Sequence, residues 1–241
     1  MDSTEDRRAV ADTAAGDDQE HGAADENAAQ FWERHYRSRR PGAARVNPLL
    51  AETVSGLNPG TALDLGCGGG GDAIWLARRG WRVTAVDIST TAVERVRERA
   101  RELGIADRVT AEQHDLAESF PAGRFDLISA QYFHTPLQLP RARVLRTAAR
   151  ALRPGGFLLI VDHGSTAPWS WNQDPDIHYP TPAAIAAELD LDPARWSVLR
   201  ADMPERRATG PAGESATVVD NVLLVQHARV PHAPVQHVGT E

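Results

Sequence analysis

The chain has 241 residues, of which 41% are hydrophobic, and this suits one domain with a sizeable core. Its formal charge of −7 is confined to one end: residues 1–30 contain nine acidic and two basic side chains, so the remainder is formally neutral. All 26 basic residues are Arg, which excludes any chemistry that needs a catalytic or phosphate-binding Lys. The neutral body also argues against a nucleic-acid-binding surface.

The two ends of the chain are predicted to be tails. Residues 1–27 are rich in Ala, Asp, Gly and Glu, and this composition predicts an acidic, disordered segment. Residues 28–230 form the predicted domain, and 231–241 form a second tail. We predict no membrane-spanning or secretory segment. With 1 Cys, no internal disulfide can form, and a cytoplasmic location is the simplest expectation.

Strands and helices are predicted to alternate through most of the domain. Two helices come first, at Ala28–Arg39 and, capped by Asn47, from Pro48 to about Leu57. The next predicted elements, in chain order, are strand Ala62–Leu65, helix Asp72–Arg79, strand Arg82–Asp87, helix Thr90–Leu103, strand Arg108–His114, strand Phe125–Ala130, helix Arg141–Leu152 and strand Phe157–Val161. Several strands are apolar throughout, which indicates a parallel sheet with both faces covered by helices.

The rhythm changes after Asp162. A loop rich in Trp, Pro and His leads to a helix that starts at Thr181-Pro182. Two strands follow, near Trp196–Met203 and Ala216–Gln226, joined by the linker "PERRATGPAGES". They are predicted to form an antiparallel hairpin on the sheet edge.

A glycine loop, "LDLGCGGGGD", joins the first strand of the sheet to its helix. Its glycines fit both the dinucleotide pattern G-x-G-x-x-G and the S-adenosylmethionine (SAM) pattern G-x-G-x-G. Asp87, which ends the next strand, suits the ribose of either nucleotide. Asp64 favours SAM, because a carboxylate there would repel a pyrophosphate but attract an ammonium or sulfonium. Asp115, closing the third strand, can accept the adenine amino proton.

These segments, together with "HDLAESFPAGRFDLISAQYFH" and "ALRPGGFLLIVDH", resemble class I SAM-dependent methyltransferases. The likeness covers about Phe31 to Arg229 and is greatest to the small tellurite-resistance and thiopurine-methyltransferase kind. It implies an α/β, doubly wound Rossmann-like sheet of seven mostly parallel strands with an antiparallel C-terminal strand. It also implies SAM as cofactor and S-adenosylhomocysteine as product.

The resemblance assigns cofactor contacts to residues that match its motifs. The methionine part of SAM would face Asp64 and the backbone of Gly66, Cys67 and Gly68. Asp87 would take the ribose, with Ile88 beside the adenine. The remaining contacts implied for the adenine edge and the methionyl amino group are those of Asp115, Leu116 and Ala130. Trp32 and Tyr36 are candidates to close over the sulfonium, and helix packing is their alternative role.

The methyl acceptor has no strong motif. His134 is the best candidate for a general base, and a residue of the pocket wall is its alternative role. His163, after the fifth strand, is a weaker base candidate, and a structural role in the loop is its alternative.

The loop Ala167–Pro180, which contains Trp169, Trp171 and His178, is predicted to form a lid or wall over an apolar acceptor, and a surface loop folded on its own Trp residues is the alternative. Tyr132 and His163 are further candidate substrate contacts. The first expectation for the acceptor is a thiol or another soft nucleophile, because such groups need little base catalysis.

Other functions stay open on the sequence alone. An O- or N-methyltransferase of a secondary metabolite is the near alternative, and an NAD-dependent oxidoreductase or a non-catalytic SAM-binding module is more distant. We predict no metal site, no membrane or nucleic-acid partner, and a monomer or homodimer.

Overall fold

The computed structural model describes residues 27–39, 45–170, 173–174, 176–210 and 212–229. Both predicted tails therefore lie outside the described residues, apart from Asn27. Asn27 caps the first helix, because its side chain accepts the Gln30 N–H at 2.9 Å and the Gln30 side chain accepts the Asn27 N–H.

The described residues form six helices and eight strands. The helices are α1 (Ala28–Ser38), α2 (Pro48–Val54), α3 (Gly71–Arg78), α4 (Thr90–Glu102), α5 (Arg141–Arg150) and α6 (Pro182–Leu189). The strands are β1 (Thr61–Leu65), β2 (Arg82–Asp87), β3 (Val109–Gln113), β4 (Phe125–Gln131), β5 (Leu152–His163), β6 (Trp196–Asp202), β7 (Glu205–Thr209) and β8 (Ser215–His227).

The sheet confirms the predicted Rossmann-like architecture. Seven strands run in the order β3-β2-β1-β4-β5-β8-β6, and β7 pairs with β8 off this path. Pairing is parallel from β3 to β5, whereas β8 is antiparallel to both β5 and β6. The predicted C-terminal pair is therefore present, with β8 inside the sheet and β6 at its edge.

Helices cover both faces of the sheet, and alternate residues of each central strand pack in opposite directions. On β4, Leu127 joins a core cluster with residues of α2, α3 and α4, whereas Ile128 joins a cluster with residues of α5 and α6. On β5, Leu159 and Leu158 divide in the same way. This explains why the strands are apolar throughout rather than alternating.

Two predicted boundaries were wrong. Leu152 does not end helix α5 but starts β5, so the segment "RPGG" belongs to this strand. The strand is irregular there, because its register with β4 shifts between Phe125 and Leu127. The predicted linker contains β7, whose Ala208 is buried and whose Arg206 pairs with Asp220 of β8 at 2.6 Å. Charged side chains made this strand look like a loop.

Replacing Leu159 with Ala tests the role of the central core. Leu159 is fully buried, so the Leu159→Ala variant is expected to lose about 2–5 kcal/mol in the free energy of unfolding through lost burial and a cavity. Urea denaturation followed by circular dichroism measures the change. Leu199 is half exposed on edge strand β6, so Leu199→Ala is the matched control, and an equal loss in both variants would contradict the assignment.

Candidate functional site

The glycine loop leaves the carboxyl end of β1 and leads into α3. Gly66, Gly68 and Gly70 have φ values of 66°, 50° and 78°, in the left-handed region that favours glycine. The Cys67 N–H donates to the Val86 carbonyl at 2.9 Å, and this bond attaches the loop to β2. The loop thus lies at the switch point between β1 and β4, where the chain continues from β1 to β2 on one side and from β4 to β5 on the other. Open α/β sheets bind ligands at this point.

Asp87 holds this loop from the end of β2. One carboxylate oxygen accepts the Gly68 N–H at 2.9 Å, and the other accepts the Ser89 N–H at 2.9 Å. Burial raises the pKa of Asp87, and these backbone bonds oppose that effect. A carboxylate accepts about four hydrogen bonds, so Asp87 keeps acceptor capacity for a ligand hydroxyl.

Asp64 is a buried carboxyl group with one oxygen unused. The residue is only 2% exposed, and within the described residues its Oδ2 has no hydrogen-bond partner. Burial raises the pKa of Asp64 well above its usual range, and the nearby charges of Asp72 and Asp87 raise it further, against a bond from the Ala73 N–H. The orphaned oxygen and the three clustered carboxyl groups fit a cationic group of a ligand, because such a group would favour their ionised form.

Two neighbouring groups share this electrostatic setting. Burial raises the pKa of Asp72 to about 6, although it accepts the Asn47 N–H at 2.6 Å. Burial and the charges of Asp87 and Asp64 raise the pKa of Cys67 well above its usual value. The Cys67 thiol therefore stays protonated at neutral pH and is poorly suited to be a nucleophile.

Helix α1 lies over the glycine loop. A Cβ atom added to Gly68 would lie 2.8 Å from the Tyr36 hydroxyl oxygen. Trp32, whose ring centroid is 6.1 Å from that of Tyr36, donates its indole N–H to Thr135 Oγ1 at 3.1 Å. The structure therefore brings Tyr36 to the loop and places Trp32 between Tyr36 and the segment after β4.

Glu33 fastens α1 to the first turn of α4, and sequence analysis missed it. Its carboxylate accepts the Ser89 hydroxyl at 2.7 Å, and both the N–H and the hydroxyl of Thr91, at 3.0 and 2.7 Å. Desolvation raises the pKa of Glu33, but these bonds and Arg37 outweigh it and lower the pKa to about 2. The i, i+3 spacing of Glu33 and Tyr36 on α1 was the only signal available.

Phe133 is a second residue that sequence analysis missed. A Cβ atom on Gly66 would lie 3.0 Å from Phe133 Cδ2, so the ring covers the start of the loop. The preceding Tyr132 has a φ of 50°, which is uncommon for a residue other than glycine and typical of strained turns at functional sites. Arg141 donates to the Phe133 carbonyl at 2.9 Å and holds this turn to α5.

The other predicted cofactor contacts lie at the ends of β2, β3 and β4. Ile88 is half-buried, and its carbonyl accepts the Gln113 side-chain N–H at 3.0 Å. Asp115 is exposed and accepts the Ala117 N–H at 2.9 Å, and Leu116 packs against the core. Ala130 is fully buried beside Leu65 in the sheet.

Aromatic rings gather beyond β4 and β5, where the acceptor side of the site was predicted. The Tyr132 and His163 rings stack with centroids 4.4 Å apart, and His134 lies 5.3 Å from His163. Tyr132 also donates its hydroxyl to Asp220 at 3.0 Å. Tyr179, which was not predicted, lies 6.4 Å from His163.

His134 exposes part of its surface but packs densely on the other side. That desolvation, with the charges of His163 and Arg141, lowers the pKa of His134 to about 4. The imidazole is therefore neutral at neutral pH, and it is a weak base.

The residues of the predicted lid do not come together at one place among the described residues. Trp169 packs against the turn between β7 and β8, because a Cβ atom on Gly210 would lie 2.6 Å from its ring. His178 is exposed, and Trp171 lies outside the described residues.

Known proteins share this part of the chain. Residues 62–156 match the model of the methyltransferase domain family. The 27-O-demethylrifamycin SV methyltransferase of Amycolatopsis mediterranei is 35% identical over 136 residues, which are 55% of this chain and 49% of that protein. The ribosomal RNA small subunit methyltransferase C of Alcanivorax borkumensis is 33% identical over 137 residues, covering 54% and 41%.

The matched segment, residues 62–156, is a SAM-dependent methyltransferase domain. A solved structure from work on the conversion of a disulfide bond into a thioacetal group during echinomycin biosynthesis has the same fold. Its TM-score is 0.64 at 24% identity, over 84% of this chain and 92% of that one. The narrower likeness to the tellurite-resistance and thiopurine kind stays a prediction.

SAM is the cofactor of this methyltransferase family, and the orphaned Asp64 oxygen and the glycine cradle fit it. The chain spans about half or less of the length of the curated relatives named above. Among the described residues, no helix has the length and apolar character needed to cross a bilayer.

The contact between Glu33 and α4 is expected to depend on pH. Because the pKa falls from 4.5 in the unfolded chain to about 2 in the fold, the stabilisation is present above pH 4.5 and is lost as the pH falls toward 2. Urea denaturation of the wild type and Glu33→Gln at several pH values measures it. The difference in stability should shrink over this range, and a constant difference would contradict the assignment. Glu98→Gln, on the exposed face of α4, is the control.

Proposed function

We propose that this chain transfers the methyl group of SAM to a small-molecule acceptor. The observation that carries the proposal is the buried, unpartnered Asp64 oxygen beside a positive-φ glycine loop that Asp87 holds in place. A pyrophosphate at that position would face three carboxyl groups, whereas an amino-acid sulfonium gains from them.

We propose the following division of roles among the cofactor contacts. Asp64 receives the methionyl ammonium, with the backbone of Gly66, Cys67 and Gly68 alongside and Ala130 nearby. Asp87 takes the ribose hydroxyls through its remaining lone pairs. Ile88, Asp115 and Leu116 border the adenine.

Trp32 and Tyr36 are proposed to cover the cofactor from α1. The Tyr36 hydroxyl already lies against Gly68, so the aromatic faces are close to the place where the sulfonium belongs. Aromatic faces attract cations, by about 0.5–2 kcal/mol. Phe133, on the opposite side of the loop at Gly66, completes an apolar wall that excludes water.

The acceptor is proposed to be a thiol or another soft nucleophile. SAM supplies an activated methyl group with a good leaving group, so the protein must mainly align the acceptor and exclude water. Of the groups near this end of the sheet, His134 has a pKa of about 4, and Asp162 forms an ion pair with Arg141. The His134 imidazole is thus a weak base, and Arg141 engages the Asp162 carboxylate; a thiol that ionises by itself needs no base.

A hydroxyl is the second candidate acceptor. The relative from Amycolatopsis mediterranei is named for a 27-O-demethylated substrate. The neutral imidazole of His134 beside His163 can accept a hydrogen bond from such a hydroxyl. In either case, the pKa of His134 favours its role in the pocket wall over its role as general base.

Cofactor binding is expected to depend on Asp87. The Asp87→Ala substitution removes both the loop anchor and the ribose acceptor, so the affinity for S-adenosylhomocysteine should fall by about tenfold or more. Isothermal titration calorimetry measures it. Asp107→Ala, at a side chain that is 77% exposed, is the control. Unchanged affinity in Asp87→Ala would refute the ribose role, and tight NAD binding without SAM binding would refute the proposed function.

Incubation with isotopically labelled SAM and a panel of thiols, phenols and amines identifies the acceptor by mass spectrometry. We expect labelled thioethers, formed at a rate that rises with pH until the acceptor thiol is ionised, at about 8.5 for a simple thiol. His134→Ala should leave the shape of this pH profile unchanged, because the imidazole is already neutral.

Two results would contradict this assignment. If the pH–rate profile of the wild type had a limb near pH 6–7 that His134→Ala removed, the imidazole would act as a general base. Labelling of phenols alone would favour the hydroxyl acceptor. Gln138→Ala, at an exposed side chain in the same loop, is the control.

A further inference from the structure

A cavity lies at the amino-terminal edge of the sheet, opposite the glycine loop. Its volume is about 520 Å³, within the roughly 300–1,000 Å³ typical of small-molecule sites. It lies between the C-terminal ends of α5 and α6, the start of β4 and β6, and the end of β8. The side chains that give it its chemistry are Arg124, Arg146, Arg150, Arg195, Trp196 and His227.

Positive charge dominates this cavity. Four guanidinium groups line it, against the two carboxylates of Asp190 and Asp192. In the part of the chain that the structure describes, none of the four forms an ion pair with a carboxylate. The cavity therefore concentrates cations that have no anionic partner within hydrogen-bonding distance.

Only a few of the guanidinium N–H groups in the cavity are used to cap the ends of helices. Arg146 donates to the Glu188 carbonyl at 2.8 Å, and Arg124 donates to the Arg150 carbonyl. Each guanidinium has five N–H donors, so capping of α5 and α6 leaves most of them available. Arginine forks match phosphate and carboxylate oxygens in pairs, which makes this donor set suitable for a multiply charged anion.

His227 helps to fix the position of one of the four arginines. Arg195 donates to His227 Nε2 at 3.2 Å. The ring stacks on Trp196 with centroids 4.7 Å apart, so it is held in place.

We propose that this cavity binds a small polyanion of the phosphate class, such as a diphosphate or a nucleoside diphosphate. The four guanidinium groups without an ion-pair partner among the described residues, and the volume of the cavity that they line, carry the proposal. It is independent of the proposed methyl transfer, because it concerns the opposite edge of the sheet.

The test is calorimetric titration of the full chain with sodium pyrophosphate. We expect saturable binding that weakens as salt is added. In the double variant Arg146→Gln/Arg195→Gln, affinity should fall by about tenfold or more, since two charge-assisted contacts are removed. Arg101→Gln, on the exposed face of α4, should bind as the wild type does. If the double variant does not fold, Arg195→Gln alone provides the test, because Arg195 bonds to the side chain of His227 and does not cap a helix.

Titration with ADP distinguishes the sources of phosphate. Binding of ADP that is tighter than that of pyrophosphate, with the gain lost in Trp196→Leu, would indicate a nucleotide. Equal affinities would indicate a phosphate without an aromatic group. No binding of pyrophosphate, an equal loss in Arg101→Gln, or binding of RNA oligonucleotides alone would overturn the proposal.

Discussion

Negative charge buried at the switch point of the sheet is the constraint on which the site depends. Asp64, Asp72 and Asp87 are within one electrostatic neighbourhood, and among the described residues no cation forms an ion pair with any of them. Backbone N–H groups stabilise them instead: that of Ala73 for Asp64, and those of Gly68 and Ser89 for Asp87. Such an arrangement costs folding free energy and is retained where a ligand supplies the missing positive charge.

The central part of this site could be predicted from sequence because its determinants are local. Asp64, the glycines and Asp87 lie within a single strand–loop–helix–strand unit, and the residue types that cap and break helices set its boundaries. Asn47 caps the helix that it was expected to cap, and α6 starts at Thr181-Pro182 as predicted. The apolar strands predicted the parallel sheet for the same reason, since burial on both faces leaves a pattern in each strand.

The remaining features depend on partners that are distant in sequence. Glu33 looks like an ordinary acid on a helix, and only its contact with Ser89, 56 residues away, shows that it fastens α1 over the loop. Phe133 contacts Gly66 because Tyr132 before it has a left-handed conformation. A tyrosine rarely adopts that conformation, so the sequence does not predict the turn. Strand β7 escaped prediction because its Arg206 becomes compatible with a sheet only when it pairs with the buried Asp220. The pKa of His134 likewise depends on His163 and Arg141, which packing brings near it.

The position of α1 has a kinetic and thermodynamic consequence for ligand exchange. Tyr36 lies against Gly68, Trp32 is bonded to Thr135 and Glu33 is bonded to α4, so the helix covers the glycine loop to which we assign the cofactor. A ligand that leaves or arrives by this side must wait for the helix to detach, so the fraction of molecules with α1 displaced scales the apparent affinity. The three contacts that fasten α1 are therefore expected to slow the exchange of a ligand bound at the loop. Weakening them should speed that exchange and admit more water to the site.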